Sequence, residues 1–281
     1  MVTNMKNSLR LSSGVLALGA LAAGASAQVD ITRWGFTALA APSVSNPPPS
    51  FGVGAASVVG MNPLTADVVQ TGSATIIDPD PLSTGLTWRI RGTSNFSANT
   101  NGWDNAAPQY AQGTQFMVST VGFTNVLLDF DWFSTNQGIR NLQVQYTLNG
   151  TTWNNYQGTF GGGVATDTDA GGNTQLLATP NAYNAAGTTA LFNEADFSCI
   201  AGAANNANFG VRMVSAFDKT LGVYASATLL AGAPQAYNGT SGNWRFDQIA
   251  IRGTASSVPE PATFAILGVG FLALVRRKRK N

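Results

Sequence analysis

Two aspartates in the segment NVLLDFDWF, Asp129 and Asp131, have a spacing suited to acid–base chemistry. Residues two apart on a strand face the same side, so we expect the two side chains to lie about 6.5 to 7 Å apart. A pair of carboxyl groups is what glycosidic bond cleavage requires. The chain has no histidine, which excludes Ser-His-Asp and Cys-His sites and histidine-ligated metals. We expect both aspartates to be solvated residues beside an aromatic core.

Oxygen ligands also cluster in the segment DTDAGGN, where Asp167, Asp169 and Asn173 surround two glycines. Such alternation of oxygen-bearing residues with glycine is typical of calcium loops. The fifth and twelfth loop positions are Gly171 and Ala178, which excludes an EF-hand, because that loop needs a bidentate Glu at its twelfth position. We expect a flexible Gly-rich loop, with a structural calcium ion as the alternative and no other cofactor.

Aromatic residues in or beside turn-rich segments are candidates for a sugar-binding surface, because a flat ring stacks on the apolar face of a pyranose. These candidates are Trp103, Tyr110, Trp153 and Tyr156. The single cysteine, Cys199, has no neighbouring cation in DFSCIAG, and we expect a small buried side chain.

Short alternating runs, rather than helical periods, must position these side chains. In LQVQYTL the apolar Leu142, Val144, Tyr146 and Leu148 face one way and the polar residues face the other, which predicts a half-buried strand. In NWRFDQIAIRG the alternation changes phase, which predicts a bulge or burial on both faces. The seven strand candidates are ITRWGF, TWRIRG, TQFMVST, NVLLDFDWF, LQVQYTL, NFGVRMVSAF and NWRFDQIAIRG.

The connections between these runs are rich in turn residues. Asn149-Gly150 follows LQVQYTL directly and predicts a tight type I′ hairpin. Three long loops are expected at SVSNPPPSFG, FGGGVATDTDAGGNTQ and the segment 179–206, the last with a short helical turn near LFNEADF. The whole pattern predicts an all-β fold, a single antiparallel β-sandwich over residues 28–256.

Charge is distributed unevenly along the chain. Between Gln28 and Val258 there are 8 basic and 13 acidic residues, so this region has no electrostatic footprint for nucleic acid. At the N-terminus, Lys6 and Arg10 precede an apolar stretch that ends in small residues at Ala25 and Ala27. This order predicts a secretory signal peptide over residues 1–27, with the Sec machinery and signal peptidase as partners.

The segment 257–281 contains a Pro-Glu-Pro triplet, an apolar run and a basic end. The run from Ala262 to Val275 makes about 21 Å of helix, short of a bilayer core of about 30 Å, so it spans only with flanking residues. The cluster that ends the chain predicts a stop-transfer signal that remains cytoplasmic. Its residues are Arg276, Arg277, Lys278, Arg279 and Lys280.

The segment VPEPATFAILGVGFLALVRRKRK resembles the PEP-CTERM sorting signal of exopolysaccharide-producing Gram-negative bacteria. The resemblance implies that Pro259, Glu260 and Pro261 are recognised by an exosortase-type membrane transpeptidase, which removes the helix and basic tail. A single-pass anchor is the alternative. The resemblance also implies transient anchoring at the inner membrane, followed by transfer to the cell envelope, outer surface or extracellular matrix.

The region between the signals is similar to the jelly-roll domain found in front of such tails and, in outline, to lectin-like sandwiches. The similarity lies in ITRWGF, in LQVQYTLNGTTW and in the closing GNWRFDQIAIRG. We therefore expect an exported, non-enzymatic envelope or matrix protein that associates with extracellular polysaccharide. A secreted Asp-dependent glycan hydrolase is the alternative.

Overall fold

The computed structural model describes residues 27–36, 46–60, 66–70, 86–90, 103–162, 164–178, 192–238 and 242–256. Within these ranges the regular elements are all strands. In chain order they are β1 (Gln28–Trp34), β2 (Phe51–Gly52), β3 (Ala55–Val59), β4 (Ala66–Gln70), β5 (Leu86–Ile90), β6 (Gly113–Met117), β7 (Phe123–Ser134), β8 (Asn141–Thr147), β9 (Asn154–Asn155), β10 (Phe160–Gly162), β11 (Ala165–Thr168), β12 (Thr174–Leu177), β13 (Phe192–Asp196), β14 (Gly210–Ser215), β15 (Ala225–Leu230), β16 (Ala233–Ala236) and β17 (Trp244–Ala255).

The strands form two large antiparallel sheets and one small hairpin. Sheet A has the order β10-β13-β7-β17-β1-β2, with β5 also on β17 and β4 on β5. Sheet B has the order β11-β12-β8-β14-β6-β3, with β9 also on β8. The small hairpin joins β15 to β16. The predicted all-β, antiparallel architecture is confirmed, and its two large sheets are consistent with a β-sandwich. Each of the seven predicted strand segments contains an observed strand.

Five tryptophans fill the space between the two sheets. Their side chains are at most 2 % exposed. The ring of Trp244 contacts two of the others, with centroids 4.5 Å from Trp103 in a tilted pair and 5.4 Å from Trp132 in an edge-on pair. The others, Trp34 and Trp88, each contact Phe116 edge-on. Aromatic pairs of this kind contribute energy beyond the burial of their area. The sixth tryptophan, Trp153, lies outside this core.

The phase change predicted in NWRFDQIAIRG is a β-bulge in β17. The pairing of β17 with β7 shifts between Asp247 and Ala250, and Gln248 has a φ of 46°. A bulge leaves one residue unpaired and changes which side chains face inward. Trp244 and Ile249 therefore both lie in the core although they are in opposite phases of the alternation.

The tight hairpin predicted at Asn149-Gly150 is wrong. β8 pairs with β9 through Gln145 and Asn155, so the connection is longer than a two-residue turn. The Asn149 side-chain oxygen accepts hydrogen bonds from the backbone N–H groups of Thr151 and Thr152, at 3.0 and 2.8 Å. This side-chain bonding stabilises a wider loop, as asparagine commonly does in turns.

Two other local predictions are also wrong. The segment LFNEADF, expected to form a helical turn, contains β13, which pairs with β7 along its whole length. The Gly-rich segment expected to be a long loop contains β10 and the β11–β12 hairpin. In both cases pairing with neighbouring strands outweighs the local preference for turns.

Candidate functional site

The outer face of sheet B carries polar side chains that point away from the core. On β14, Val211 and Met213 are fully buried in the core, so Arg212 between them faces outward. The same alternation turns Gln145 on β8 and Gln115 on β6 to the outside, because successive strand residues point to opposite faces. The polar half of the alternation in LQVQYTL lies on this face, but Gln143, Gln145 and Thr147 are at most 7 % exposed, so β8 is buried on both faces rather than half-buried as predicted.

Strand pairing aligns these outward residues across the sheet. Asn155 pairs with Gln145, Gln145 with Arg212, Arg212 with Gln115, and Gln115 with Ser57. We call this line of five side chains the amide row. It crosses β9, β8, β14, β6 and β3, and four strand spacings give it a length of about 19 Å.

Hydrogen bonds fix the side chains of the amide row. The Gln145 amide nitrogen donates to Asn155 Oδ1 at 2.8 Å, and Arg212 donates from Nε and Nη2 to Gln115 Oε1 at 3.0 and 2.8 Å. The Arg212 guanidinium carbon lies 3.8 Å from the centre of the Trp153 ring, a cation–π contact. Trp153, which is half-buried, is thereby held against the row.

Tyr110 lies at the β9 end of the amide row. Its φ of 67° is unusual for a bulky residue, and its hydroxyl donates to Asp169 Oδ2 at 3.4 Å. Burial, together with the negative charge of Asp169, raises the pKa of Tyr110 to about 12. The hydroxyl is therefore a neutral donor at every physiological pH.

A groove of about 360 Å³ lies at the β3 end of the amide row. Ser57 and Gln115 of the row line it, together with Met117 and the prolines 47–49. The indole N–H of Trp34 donates to the carbonyl of Pro47 at 3.1 Å, which fixes the Pro-rich wall of the groove to the core. A groove of this volume is in the range of ligand pockets in proteins.

The structure separates the four aromatic residues that the sequence offered as a sugar-binding surface. Trp103 is 1 % exposed, and its backbone N–H donates to the Tyr237 hydroxyl at 2.7 Å. Tyr156 is 3 % exposed and packs on Phe197. The predicted exposure of these two residues is therefore wrong. Trp153 and Tyr110 both lie at the amide row and remain candidates.

The oxygen ligands proposed for calcium lie at the β11–β12 hairpin. Asp169 Oδ1 accepts backbone N–H groups of Gly171 and Asn173, and Oδ2 accepts the Asn173 side-chain amide at 3.0 Å. Asp167 pairs with Lys219. Protein donors thus occupy these oxygens, and Asn173 presents its nitrogen rather than its oxygen, an arrangement that does not fit a calcium site. In the described part of the chain, no cluster of three or more acidic or thiol side chains is placed to hold a metal ion.

Asp129 and Asp131 lie on the outer face of sheet A, but they are buried rather than solvated, at 7 % and 6 % exposed. Asp129 is directly opposite Glu194 on β13, and its Oδ2 accepts from Arg252 Nη1 at 2.9 Å. Arg252 also pairs with Asp30. Burial raises the pKa of Asp129 to about 6, against the opposing effect of Arg252.

Replacing Asp129 by Asn is expected to flatten the pH dependence of stability. In the folded protein the pKa of Asp129 lies above its ordinary value of 3.8. The contribution of its protonated form to stability is therefore present at low pH and is lost as pH rises through about 6. A shift of this size corresponds to about 3 kcal/mol over the whole titration, of which roughly 2 kcal/mol falls between pH 4 and pH 7. Urea unfolding of both proteins across this range checks it, and equal slopes in the two proteins would rule out this role for Asp129.

Cys199, expected to be buried, is instead an exposed free thiol. It follows β13, where the chain leaves the sheet in a turn, and its nearest side-chain partner is the hydroxyl of Ser198 at 3.9 Å.

The fold and the amide row define an antiparallel β-sandwich with a polar, aromatic-flanked outer face. Comparison with known protein families shows that residues 257–280 match the PEP-CTERM protein-sorting motif. The match confirms the sorting signal and supports an exported protein with an exosortase as its processing partner and a cell-envelope or surface destination. No curated protein matches the chain.

The predicted signals themselves lie outside the described residues, apart from Ala27. These are the segment 1–26, the triplet Pro259 to Pro261, the helix expected over 262–275 and the basic residues 276–280. In the ranges that the structure does describe, no helix is long and apolar enough to cross a membrane.

Proposed function

We propose that this exported protein is a non-enzymatic component of the cell envelope or extracellular matrix, and that it binds polysaccharide through the amide row. The observation that carries the proposal is the alignment of Asn155, Gln145, Arg212 and Gln115 in one line beside Trp153. Planar amide and guanidinium groups hydrogen-bond sugar hydroxyls, while an indole ring stacks on the sugar face.

The hydrogen-bonding capacity of the row supports this function. Among the described residues, Gln115 Nε2 makes no hydrogen bond, although Gln115 Oε1 accepts from Arg212. This donor, on a partly buried side chain, is available to a ligand and is already held in place, whereas Gln145 is 7 % exposed and supports the row from within. Such preorganisation reduces the entropy cost of binding.

The shape of the face supports a chain-like ligand. The amide row is a surface about 19 Å long rather than a closed cavity, and it leads into the groove beside Pro47. A polymer can lie across the strands and extend beyond both ends. We therefore propose that internal segments of a polysaccharide, rather than chain ends, are bound.

Replacing Trp153 by Ala is expected to reduce polysaccharide affinity at least tenfold, because the stacking surface is lost while the core is untouched. Affinity electrophoresis of the purified protein in gels with alginate, polygalacturonate, dextran sulfate or dextran measures this. Phe51→Ala is the matched control, since Phe51 is an aromatic side chain 57 % exposed on β2 of sheet A. Retardation by none of the four polymers, or equal retardation of the two variants, would refute binding through this face.

A second candidate function, a secreted glycan hydrolase, is favoured by one observation. The pKa of Asp129, raised to about 6 by burial, suits a general acid, and Asp131 lies two residues away on the same face. Against it, Arg252 already occupies one oxygen of Asp129. Release of reducing ends from the same four polymers by the purified protein, abolished in Asp129→Asn, would favour the hydrolase over the binding protein.

A further inference from the structure

Arg212 differs from several other described cations in having no acidic partner. Arg140, Lys219 and Arg252 each pair with an aspartate, and no carboxylate of the described residues pairs with Arg212. Within the described part of the chain, the Arg212 side chain contacts the neutral amide of Gln115 and the ring of Trp153. Arg212 is therefore an uncompensated positive charge at the centre of the amide row.

The surroundings of this charge make an anionic ligand favourable. Arg212 is partly buried on β14, and burial is the cause that lowers its pKa from the usual value. A partly desolvated cation gains more from an opposite charge than a fully hydrated one does. Its two bonded nitrogens, Nε and Nη2, both point to Gln115, and Nη1 makes no hydrogen bond among the described residues. A guanidinium with a free nitrogen edge is well suited to a carboxylate or sulfate.

We propose, as a refinement that rests on the proposed function, that the bound polysaccharide is anionic and that Arg212 holds one of its acidic groups. Trp153, whose ring lies 3.8 Å from the guanidinium carbon, then contacts the sugar that carries this group or its neighbour. Gln115, beside Arg212 in the row, binds a hydroxyl group. The carboxylate of a uronic acid and a sulfate ester share this chemistry.

The experiment compares each acidic polymer with a neutral partner of the same backbone. Alginate and polygalacturonate are paired with their carboxyl-reduced forms, and dextran sulfate is paired with dextran. We expect the protein to bind at least one acidic form at least tenfold more tightly than its neutral partner, with the preference weakening as salt is added. The pair that shows the preference distinguishes carboxylate from sulfate.

Variants assign the preference to one residue. Arg212→Gln is expected to abolish the preference for the acidic form, and Arg212→Lys to retain part of it, because lysine keeps the charge without the planar fork. Lys219→Gln is the matched control: it removes the same charge from a residue that is already paired with Asp167, and it should leave the preference intact. Far-ultraviolet circular dichroism and the unfolding midpoint verify that each variant is folded.

The outcomes separate this inference from the proposed function. Equal binding of acidic and neutral partners, lost in Trp153→Ala, would overturn the role of Arg212 and leave polysaccharide binding in place. A preference that Lys219→Gln removes and Arg212→Gln does not would also overturn it. Binding of no polymer at all would overturn both.

Discussion

Replacing Glu260 by Ala is expected to leave the C-terminal tail attached to nearly all molecules of the protein in cells that contain an exosortase. Glu260 is the charged centre of the triplet Pro259-Glu260-Pro261, within the segment that matches the PEP-CTERM sorting motif. Pro259 and Pro261 flank Glu260 directly in the sequence. Loss of its carboxylate removes the one charge of the triplet.

Intact-mass spectrometry of the purified protein measures tail retention directly. The wild-type protein should lack the basic residues 276–280, and we expect the processed fraction of Glu260→Ala to fall at least tenfold. Thr263→Ala, a change inside the matched segment but outside the triplet, is the control and should be processed normally. Equal loss of residues 276–280 from wild type and Glu260→Ala would contradict recognition through the triplet, and an intact wild-type tail would indicate a single-pass anchor.

Replacing Trp244 by Ala is expected to lower the free energy of unfolding by about 4 kcal/mol, the usual cost of deleting a buried tryptophan. Trp244 is fully buried, contacts the rings of Trp103 and Trp132, and donates its indole N–H to the carbonyl of Ile139 at 2.8 Å. Its removal leaves a cavity where the two sheets meet, because the neighbouring rings cannot collapse into the space without losing their own contacts.

Urea unfolding followed by tryptophan fluorescence measures this loss. Trp244→Phe should cost less than Trp244→Ala, since a ring still fills most of the volume. Leu230→Ala is the surface control: Leu230 is 66 % exposed at the end of β15, and its loss should change stability by about 0.5 kcal/mol or less. A cost below about 1 kcal/mol for Trp244→Ala would show that this cluster does not hold the sheets together.

The strands were predictable because their signal is local. The alternation of apolar and polar residues in NVLLDFDWF predicts which side chains face the core, and Val126, Leu128 and Phe130 are all fully buried. The phase change in NWRFDQIAIRG likewise predicts the bulge at Gln248, because a bulge changes the local alternation of side chains. The prediction of a helical turn near LFNEADF is wrong because β13 is stabilised by pairing with β7, which is distant in the sequence.

The candidate site was only partly predictable. Trp153 and Tyr110 stood out as aromatic residues in turn-rich segments, but the same reasoning selected Trp103 and Tyr156, which are core residues. The remaining members of the amide row carried no local signal of function. Gln115 and Arg212 are 97 residues apart in sequence, and only the pairing of β6 with β14 brings them together. The sequence does place polar residues on the outward side of several predicted strands. Only the order of the strands in the sheet shows which of these residues lie side by side.

The measurement that tests the central claim most directly is a nitrogen-15 correlation spectrum of the protein recorded while an acidic oligosaccharide, such as tetragalacturonate, is added. This spectrum observes the side-chain amides of Gln115, Gln145 and Asn155, the Arg212 Nε–H and the Trp153 indole individually. If the protein binds polysaccharide through the amide row, these signals should shift together and saturate, while the buried indole of Trp244 stays in place. Shifts confined to Arg252 and its neighbours on sheet A, or no saturable shift at all, would contradict the account.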